Sequence, residues 1–430
     1  MQEDIFRLDA IREAFTYQNR FAGSTMVFKI DFPVTETPAF PLLMRDLALL
    51  SKSSFRVVIV PGAKEWIDAV LKEYGIVSEY AGESRLTTGA AIPFVEMAAF
   101  HVATRFMTGL SADRVNGVIG NFVRARGLGV VNGLDMEHTG RVDKIFTESI
   151  TRVLDQGMIP ILPCIGWSPA GKPYNVPGDE IALAAASALG AVKLFIVSAH
   201  AGLSRENYRI PAGVSVDEAG RVVRLTPQET EAVLAENRAE NRAENQDPEE
   251  GGGLYADKPL GDLRLALRAS RAGVERIHLI DGRESGALLR ELFSNLGAGT
   301  MVYRDEYESI RPLKTQDIPD ILGLMEPLMH KGALIRRNSE DIREKKKDYA
   351  VFEIDGSIHA CGALHDWGEG QGEIAAIATD TAYADMGLGR RIVRYLIDRA
   401  VKQGLRRVFV LTTGTHDWFE ALGFRESTVE

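Results

Sequence analysis

Apolar residues in the first fifteen or so positions fall at helical spacing: in "DIFRLDAIREAFTYQ", Ile5, Leu8, Ile11 and Phe15 share one face. The stripe predicts an amphipathic helix that docks either on its own domain or on another subunit. Short apolar runs then alternate with amphipathic stretches. "TMVFKI" and "FRVVIV" read as strands, "AFPLLMRDLALLSKS" and "AKEWIDAVLKEYGI" as helices. "MIPILPCI" and "KLFIVSA" flank "EIALAAASAL", a small-residue helix suited to close packing, and the series closes with "RIHLID", "SGALLRELF" and "GAGTMVY". Buried strands alternating with helices predict an α/β fold with a mainly parallel sheet covered on both faces, a three-layer αβα sandwich.

The pattern breaks at "AENRAENRAENQDPEEGGG", residues 235–253, a repeated run followed by acid and glycine. It holds nothing that builds a core and predicts a charged helical extension ending in a loop. A second unit follows. "TQDIPDILGLMEPLMHKG" reads as a helix opened by Thr315, then come strands "YAVFEID", "SIHACGALHDW" and "GEIAAIATD", a glycine turn with its helix, "RVFVLTT" and a short helix "DWFEALGF". The boundaries expected are 1–303 for the first domain, 304–309 for a linker and 310–430 for a smaller mixed α/β domain, the last of ordinary domain size.

Composition narrows the class. Apolar content of 45% and charged content of 26% are those of globular protein. A net charge of −10 lacks the basic footprint of a nucleic-acid binder. Cys164 and Cys361 lie far apart, without the spacing of a metal site or a disulfide framework, so a reducing compartment and no metal are expected. No basic-then-apolar leader or run of transmembrane length is present, which predicts a cytoplasmic protein with no membrane partner.

Chemistry concentrates in "YADMGLGRR". Gly387 and Gly389 just before a helix leave backbone N–H groups free for an anion, and Arg390 and Arg391 add positive charge. A Gly-x-Gly alone also marks an ordinary turn. A dinucleotide site places its turn after the first strand of a long alternating series, with an acid about twenty residues on. Here the turn follows a mid-domain strand in a small unit, and coenzyme A fits better.

The strand, turn and arginine-bearing helix resemble the acetyl-CoA site of the Gcn5-related acetyltransferases (GNAT), with Ala384 where the family pattern Gln/Arg-x-x-Gly-x-Gly/Ala has Gln or Arg. "LTTGTHDWFEALGF" and "GALIRRNSEDI" are similar to segments of the bacterial N-acetylglutamate synthases. "VVNGLDMEHTGRVDKI", "PYNVPGDEIALAAASALGAVKL" and "GALLRELFSNLGAGTMV" resemble the amino-acid kinase fold of that family's N-terminal half.

The resemblance implies an amino-acid N-acetyltransferase that takes acetyl-CoA and L-glutamate in arginine biosynthesis. Glu373 matches the general base, and Thr412 the hydroxyl proposed as acid or water-holder. Ile377 and Thr379 match the backbone groups that grip acetyl and pantetheine, and Gly387, Leu388, Gly389 and Arg390 the pyrophosphate cradle. A fork-shaped guanidinium suits two carboxylates; of Arg336 and Arg337 the resemblance favours Arg336, with Leu334 beside it. The lone histidines His359, His365 and His416 read as surface or packing residues.

In the first domain, Lys29 survives, but Asp31 and Phe32 replace the glycines that admit phosphate in the kinases. "VPGAK" replaces a glycine run, and "GDLRLAL" has lost a lysine. Asp179 and Asn175 remain without a phosphate to orient, so kinase chemistry is not expected. The resemblance implies instead an L-arginine effector site at Glu291, Gly297, Gly299 and Thr300, with Gly286 where kinase relatives often carry histidine. It also implies a homo-oligomer, hexameric in relatives. Family members run past Gly-Phe into an arginine-containing tail, whereas the sequence here reaches Glu430. Two alternatives follow: an acetyltransferase for another amine, or an inactive arginine-binding regulator.

Overall fold

A computed structural model of the chain describes residues 15, 17, 18, 20–81, 84–217, 219–244, 257–293, 297–304, 308–354, 356–380, 387–412 and 414–427. Two compact units form, Met1–Arg304 and Asp305–Glu430.

The first unit is built on an eight-stranded sheet. Its strand order is Arg224–Leu225, Thr300–Tyr303, Arg276–Asp281, Lys193–Ser198, Thr25–Ile30, Arg56–Pro61, Ile159–Ile161 and Gly117–Ile119. All neighbours run parallel except Arg276–Asp281 against Thr300–Tyr303. Strands such as Lys193–Ser198 are buried throughout because helices cover both faces. Phe40–Lys52 and Ile92–Ala112 pack on one face, Gly178–Ala188 and Lys258–Arg271 on the other. "MIPILPCI", one run in the sequence, becomes two strands in different sheets. Ile159–Ile161 joins the large sheet, and Ile165–Trp167 a four-stranded sheet with Pro173–Asn175, Val123–Gly127 and Gly140–Ile145.

Of the expected N-terminal helix, Ile5, Leu8 and Ile11 lie outside the described residues. Phe15 is exposed, while Tyr17 packs against the rings of Phe21, Phe55 and Phe293. The charged run starts within helix Pro227–Glu244, and residues 245–256 lie outside the described residues. One member departs from expectation. Asn237 is buried because its amide brackets Arg209, donating to that carbonyl and accepting from that N–H.

The second unit is a five-stranded sheet in the order Glu308–Pro312, Tyr349–Ile354, Ser357–Gly368, Gln371–Thr379, Arg407–Phe409. Glu308 and Ser309, in the segment read as linker, begin its edge strand. Helix Leu388–Lys402 buries Leu388, Ile392, Val393, Leu396 and Ala400 on one face of the sheet. At about 1.5–3 kcal/mol for each large side chain, this stripe anchors the helix start beside the sheet. Helices Ile318–His330 and Ser339–Glu344 cover the other face. The first of these is led in by a 3-10 turn whose buried Asp317, not Thr315, accepts from the Lys314 N–H and pairs with Arg311. Among the described residues no helix is long and apolar enough to cross a membrane.

Candidate functional site

Strand Gln371–Thr379 carries the candidate site. Its parallel pairing with Arg407–Phe409 covers only Gln371 to Glu373, after which no described strand joins that edge. The antiparallel register on the other side slips by one residue between Cys361 and Ala363, and Ala376 sits at φ 55°. A non-glycine residue held there is a β-bulge. It turns backbone groups out of the ladder and increases the local twist. The result is a cleft between parting strands, one edge of which has no described strand pairing beyond Glu373.

The cleft ends at the helix start. Gly387 caps helix Leu388–Lys402 in the left-handed conformation, at φ 65°. Gly389 is closely packed: a Cβ there would stand 3.2 Å from Trp418 Cζ2, tighter than an ordinary contact, and 3.5 Å from Thr379 Cγ2. The fold therefore presses the strand end at Thr379 against the first turn of a fifteen-residue helix whose N-cap, Gly387, offers no side chain to its first amides, the kind of helix start that suits an anion. Leu388 is buried and Arg390 exposed. The Arg391 guanidinium lies over the Phe352 ring at 4.5 Å. Residues 381–386, with Ala384, lie outside the described residues.

The half-buried Glu373 accepts the Trp367 indole N–H at 3.0 Å. Ile377 packs towards helix Leu388–Lys402. Thr412, three residues beyond the last strand, is exposed. Its hydroxyl lies 2.7 Å from that of Thr415 and accepts the Thr415 N–H at 3.1 Å, so it braces the turn into helix His416–Glu420. Leu334 packs on the apolar layer beneath Ala376 and Ala378, whereas Arg336 is exposed. Arg337 is half-buried, with its charge felt at Tyr349 and Cys361. The sequence does not separate these two arginines; their burial in the loop between helices Ile318–His330 and Ser339–Glu344 does.

In the first unit, Glu291 is no solvated helix acid. It is buried, 2.6 Å from His278 Nδ1, and accepts the N–H groups of Ala298 at 2.6 Å and Gly299 at 2.9 Å. Burial opposes its charge, but these hydrogen bonds, His278's first, hold the carboxyl below its ordinary range. His278 bonds Oε1 and the two backbone N–H groups share Oε2, so of the carboxylate's roughly four acceptor positions one, on Oε1, is left for an added guanidinium N–H. Burial and the nearby Lys193 charge push His278 down to about 4, so the ring is neutral at pH 7. Its Nε2 is buried without a described partner. Sequence reading passed over His278, whose signal is a histidine set between Ile277 and Leu279 in a buried strand. Gly297 (φ 64°) would bring a Cβ to 2.9 Å from Glu291 Oε2, and Gly299 would bring one to 2.0 Å from the Leu279 carbonyl oxygen. Thr300 is buried and donates to the Val222 carbonyl.

Across the C-terminal edge of the sheet lies a cavity of about 610 Å³ lined by Lys29, Asp31, Gly62, Asp179, Lys258 and Asp262, among others. Lys29 Nζ is 2.8 Å from Asp31, 3.0 Å from Asp179 and 3.5 Å from Asp262. Lys258 pairs with Asp31 at 3.0 Å and Glu65 at 2.7 Å. Burial works against the Lys29 charge, yet Asp179, Asp31 and Asp262 raise its pKa well above the ordinary value. Asp179 thus orients the lysine itself, and a cation so neutralised has little left for a phosphate. Among the described residues no cluster of His, Cys, Asp and Glu could hold a metal.

Comparison with known proteins agrees with both halves. The Amino acid kinase family pattern matches residues 33–225, and the Acetyltransferase (GNAT) family pattern residues 317–424. The chain is 33% identical to an amino-acid acetyltransferase of Pseudomonas fluorescens (strain SBW25), over 98% of this chain and 93% of the relative. It is 32% identical to one of Pseudomonas aeruginosa (strain UCBPP-PA14) with the same coverage. The crystal structure of N-acetylglutamate synthase from Neisseria gonorrhoeae complexed with coenzyme A and L-arginine matches with a TM-score of 0.82. It is 30% identical and covers 98% of this chain and 94% of that one. A second structure of that enzyme, complexed with coenzyme A and N-acetyl-glutamate, matches at a TM-score of 0.61, again at 30% identity, over 98% of this chain and 93% of that one.

Proposed function

The chain belongs to the amino-acid acetyltransferase family, and from that premise we propose that it makes N-acetyl-L-glutamate from acetyl-CoA and L-glutamate. The observation that carries the reading is the cleft: strands that part after Glu373, a bulge at Ala376, and a glycine-capped helix start beside Thr379. In this reading the diphosphate of acetyl-CoA lies on the amides of Gly387, Leu388 and Gly389 with Arg390 alongside. The backbone N–H groups of Ile377 and Thr379 hold the acyl carbonyl and pantetheine. Such donors favour the charge that develops as the carbonyl becomes tetrahedral.

Glu373 takes a proton from the ammonium of glutamate, directly or through a water, so that the amine nitrogen attacks the thioester carbon. The departing thiolate receives a proton at the Thr412–Thr415 hydroxyl pair or from water held there. Arg336, next to Leu334, meets the substrate's carboxylates.

The kinase-like unit, on this account, does no phosphoryl chemistry and senses L-arginine, the ligand named for the Neisseria enzyme. Glu291 fixes the Gly297–Gly299 turn, Thr300 anchors the strand behind it, and neutral His278 offers an acceptor to a guanidinium N–H. Feedback inhibition, a cytoplasmic homo-oligomer and a place in arginine biosynthesis complete the proposal.

The test is CoA thiol release from acetyl-CoA with L-glutamate, with and without L-arginine. Release with glutamate that falls when arginine is added, and is lost in Glu373→Gln, supports the reading. Release only with another amine moves the activity to a different substrate. Arginine binding without turnover on any amine leaves a regulator.

A further inference from the structure

Sequence reading set His365 aside as a packing residue, but the sheet places it directly opposite Glu373. In the antiparallel ladder Leu364 faces Ile374, His365 faces Glu373 and Asp366 faces Gly372. Opposed residues share a face, with Cβ atoms about 4.5–5.5 Å apart. Leu364 and Ile374 point into the core under helix Leu388–Lys402, so His365 and Glu373 both point to the opposite face. There His365 packs edge-on against Tyr349 at 6.0 Å, and its Nδ1 lies 2.7 Å from Asp348 Oδ2. A carboxylate on Nδ1 selects the tautomer with the proton on that nitrogen and leaves Nε2 as a lone-pair acceptor. No described residue takes up Nε2.

We propose that His365, oriented by Asp348, is a positioning residue that receives the proton Glu373 removes from the substrate amine. The proposal rests on the reading of Glu373 as the base. The ammonium N–H bond breaks as the proton passes to the Glu373 carboxylate. The carboxylic acid then gives it to Nε2, across one water or directly. The imidazolium is stabilised by Asp348 and releases the proton to solvent, which returns both groups to their starting state. The surroundings suit this path. The Trp367 indole N–H holds the other side of Glu373. Arg399, from helix Leu388–Lys402, bonds the carbonyls of Lys347 and Asp348, fixing the segment that carries the orienting acid. Arg337 and Asp341 also act on Tyr349, and Asp366, next along the strand from His365, is exposed.

The experiment is the pH profile of kcat/KM for L-glutamate in the full chain, comparing native, His365→Asn, Asp348→Asn and Glu373→Gln. If both Glu373 and His365 must be unprotonated, the acid limb of the native profile approaches a slope of two. In His365→Asn it falls to one and kcat drops about 10-fold, below the full worth of a general base. Asp348→Asn retains the imidazole and shifts the limb without abolishing it. Acetyl-CoA affinity by calorimetry stays native in all, which excludes misfolding of the cleft. Native-shaped profiles in His365→Asn and Asp348→Asn, or a uniform loss of rate with no change of slope, overturn the proposal while Glu373→Gln remains inactive. Turnover surviving in Glu373→Gln overturns the function reading itself.

Discussion

Lys29→Met isolates what the kinase-like unit does with its surviving lysine. The side chain is 3% exposed and lies within 3.5 Å of three carboxylates, two of them, on Asp31 and Asp262, nearly as buried. Removing the cation strands those two acids. Breaking a buried ion pair costs about 3–5 kcal/mol. The cost here belongs at the lower end. Asp31 keeps Lys258 at 3.0 Å, and Asp262 keeps the Ser198 hydroxyl at 2.5 Å and His200 at 2.9 Å. About 3 kcal/mol in a unit spanning Met1–Arg304 lowers its thermal midpoint by roughly 5 °C. The pH window follows from the directions of the shifts. Lys29 is raised, so its contribution is present below the ordinary lysine value, about 10.4, and is lost as pH rises through its higher folded value. Asp31 is lowered, so its contribution is present above about 3.9 and is lost as pH falls through its folded value. Between about pH 4 and 10 neither of these two groups adds slope to the native-minus-variant difference. Scanning calorimetry of the full chain measures the midpoint, and CoA release at 25 °C measures transferase activity. A variant that melts with the native protein, or that loses transferase turnover at 25 °C while folded, refutes the reasoning.

Gly389→Val places two further carbons where a Cβ already stands 3.2 Å from Trp418, and calorimetry is expected to show acetyl-CoA binding weakened at least about 10-fold, a loss of 1.4 kcal/mol. His278 is pushed down to about 4 against about 6.5 unfolded, so the unfolded chain binds more protons between those values. Native stability then falls by about 3 kcal/mol as pH drops from 6.5 to 4. His278→Gln flattens that slope in urea titrations, and an unchanged slope counts against a neutral buried ring. Arg336→Met raises the KM for glutamate with that for acetyl-CoA unchanged. If Arg337→Met does so instead, the half-buried arginine is the substrate's partner.

Local pattern alone decided a good deal. Alternating apolar runs and amphipathic helices specify a covered parallel sheet, because each face must be buried against something. The two glycines before an apolar-striped helix mark a left-handed cap and a close approach. These are rules of neighbours a few residues apart. Tertiary structure decided the rest, because it concerns residues far apart in the chain. Whether Glu291 met water or His278 depended on a strand thirteen residues away folding back beneath its helix. That His365 stands opposite Glu373 depended on ladder register, where a slip of one residue reverses every side chain. Composition sets which groups a chain possesses, but pairing distances and desolvation, fixed only on folding, set which of them act together.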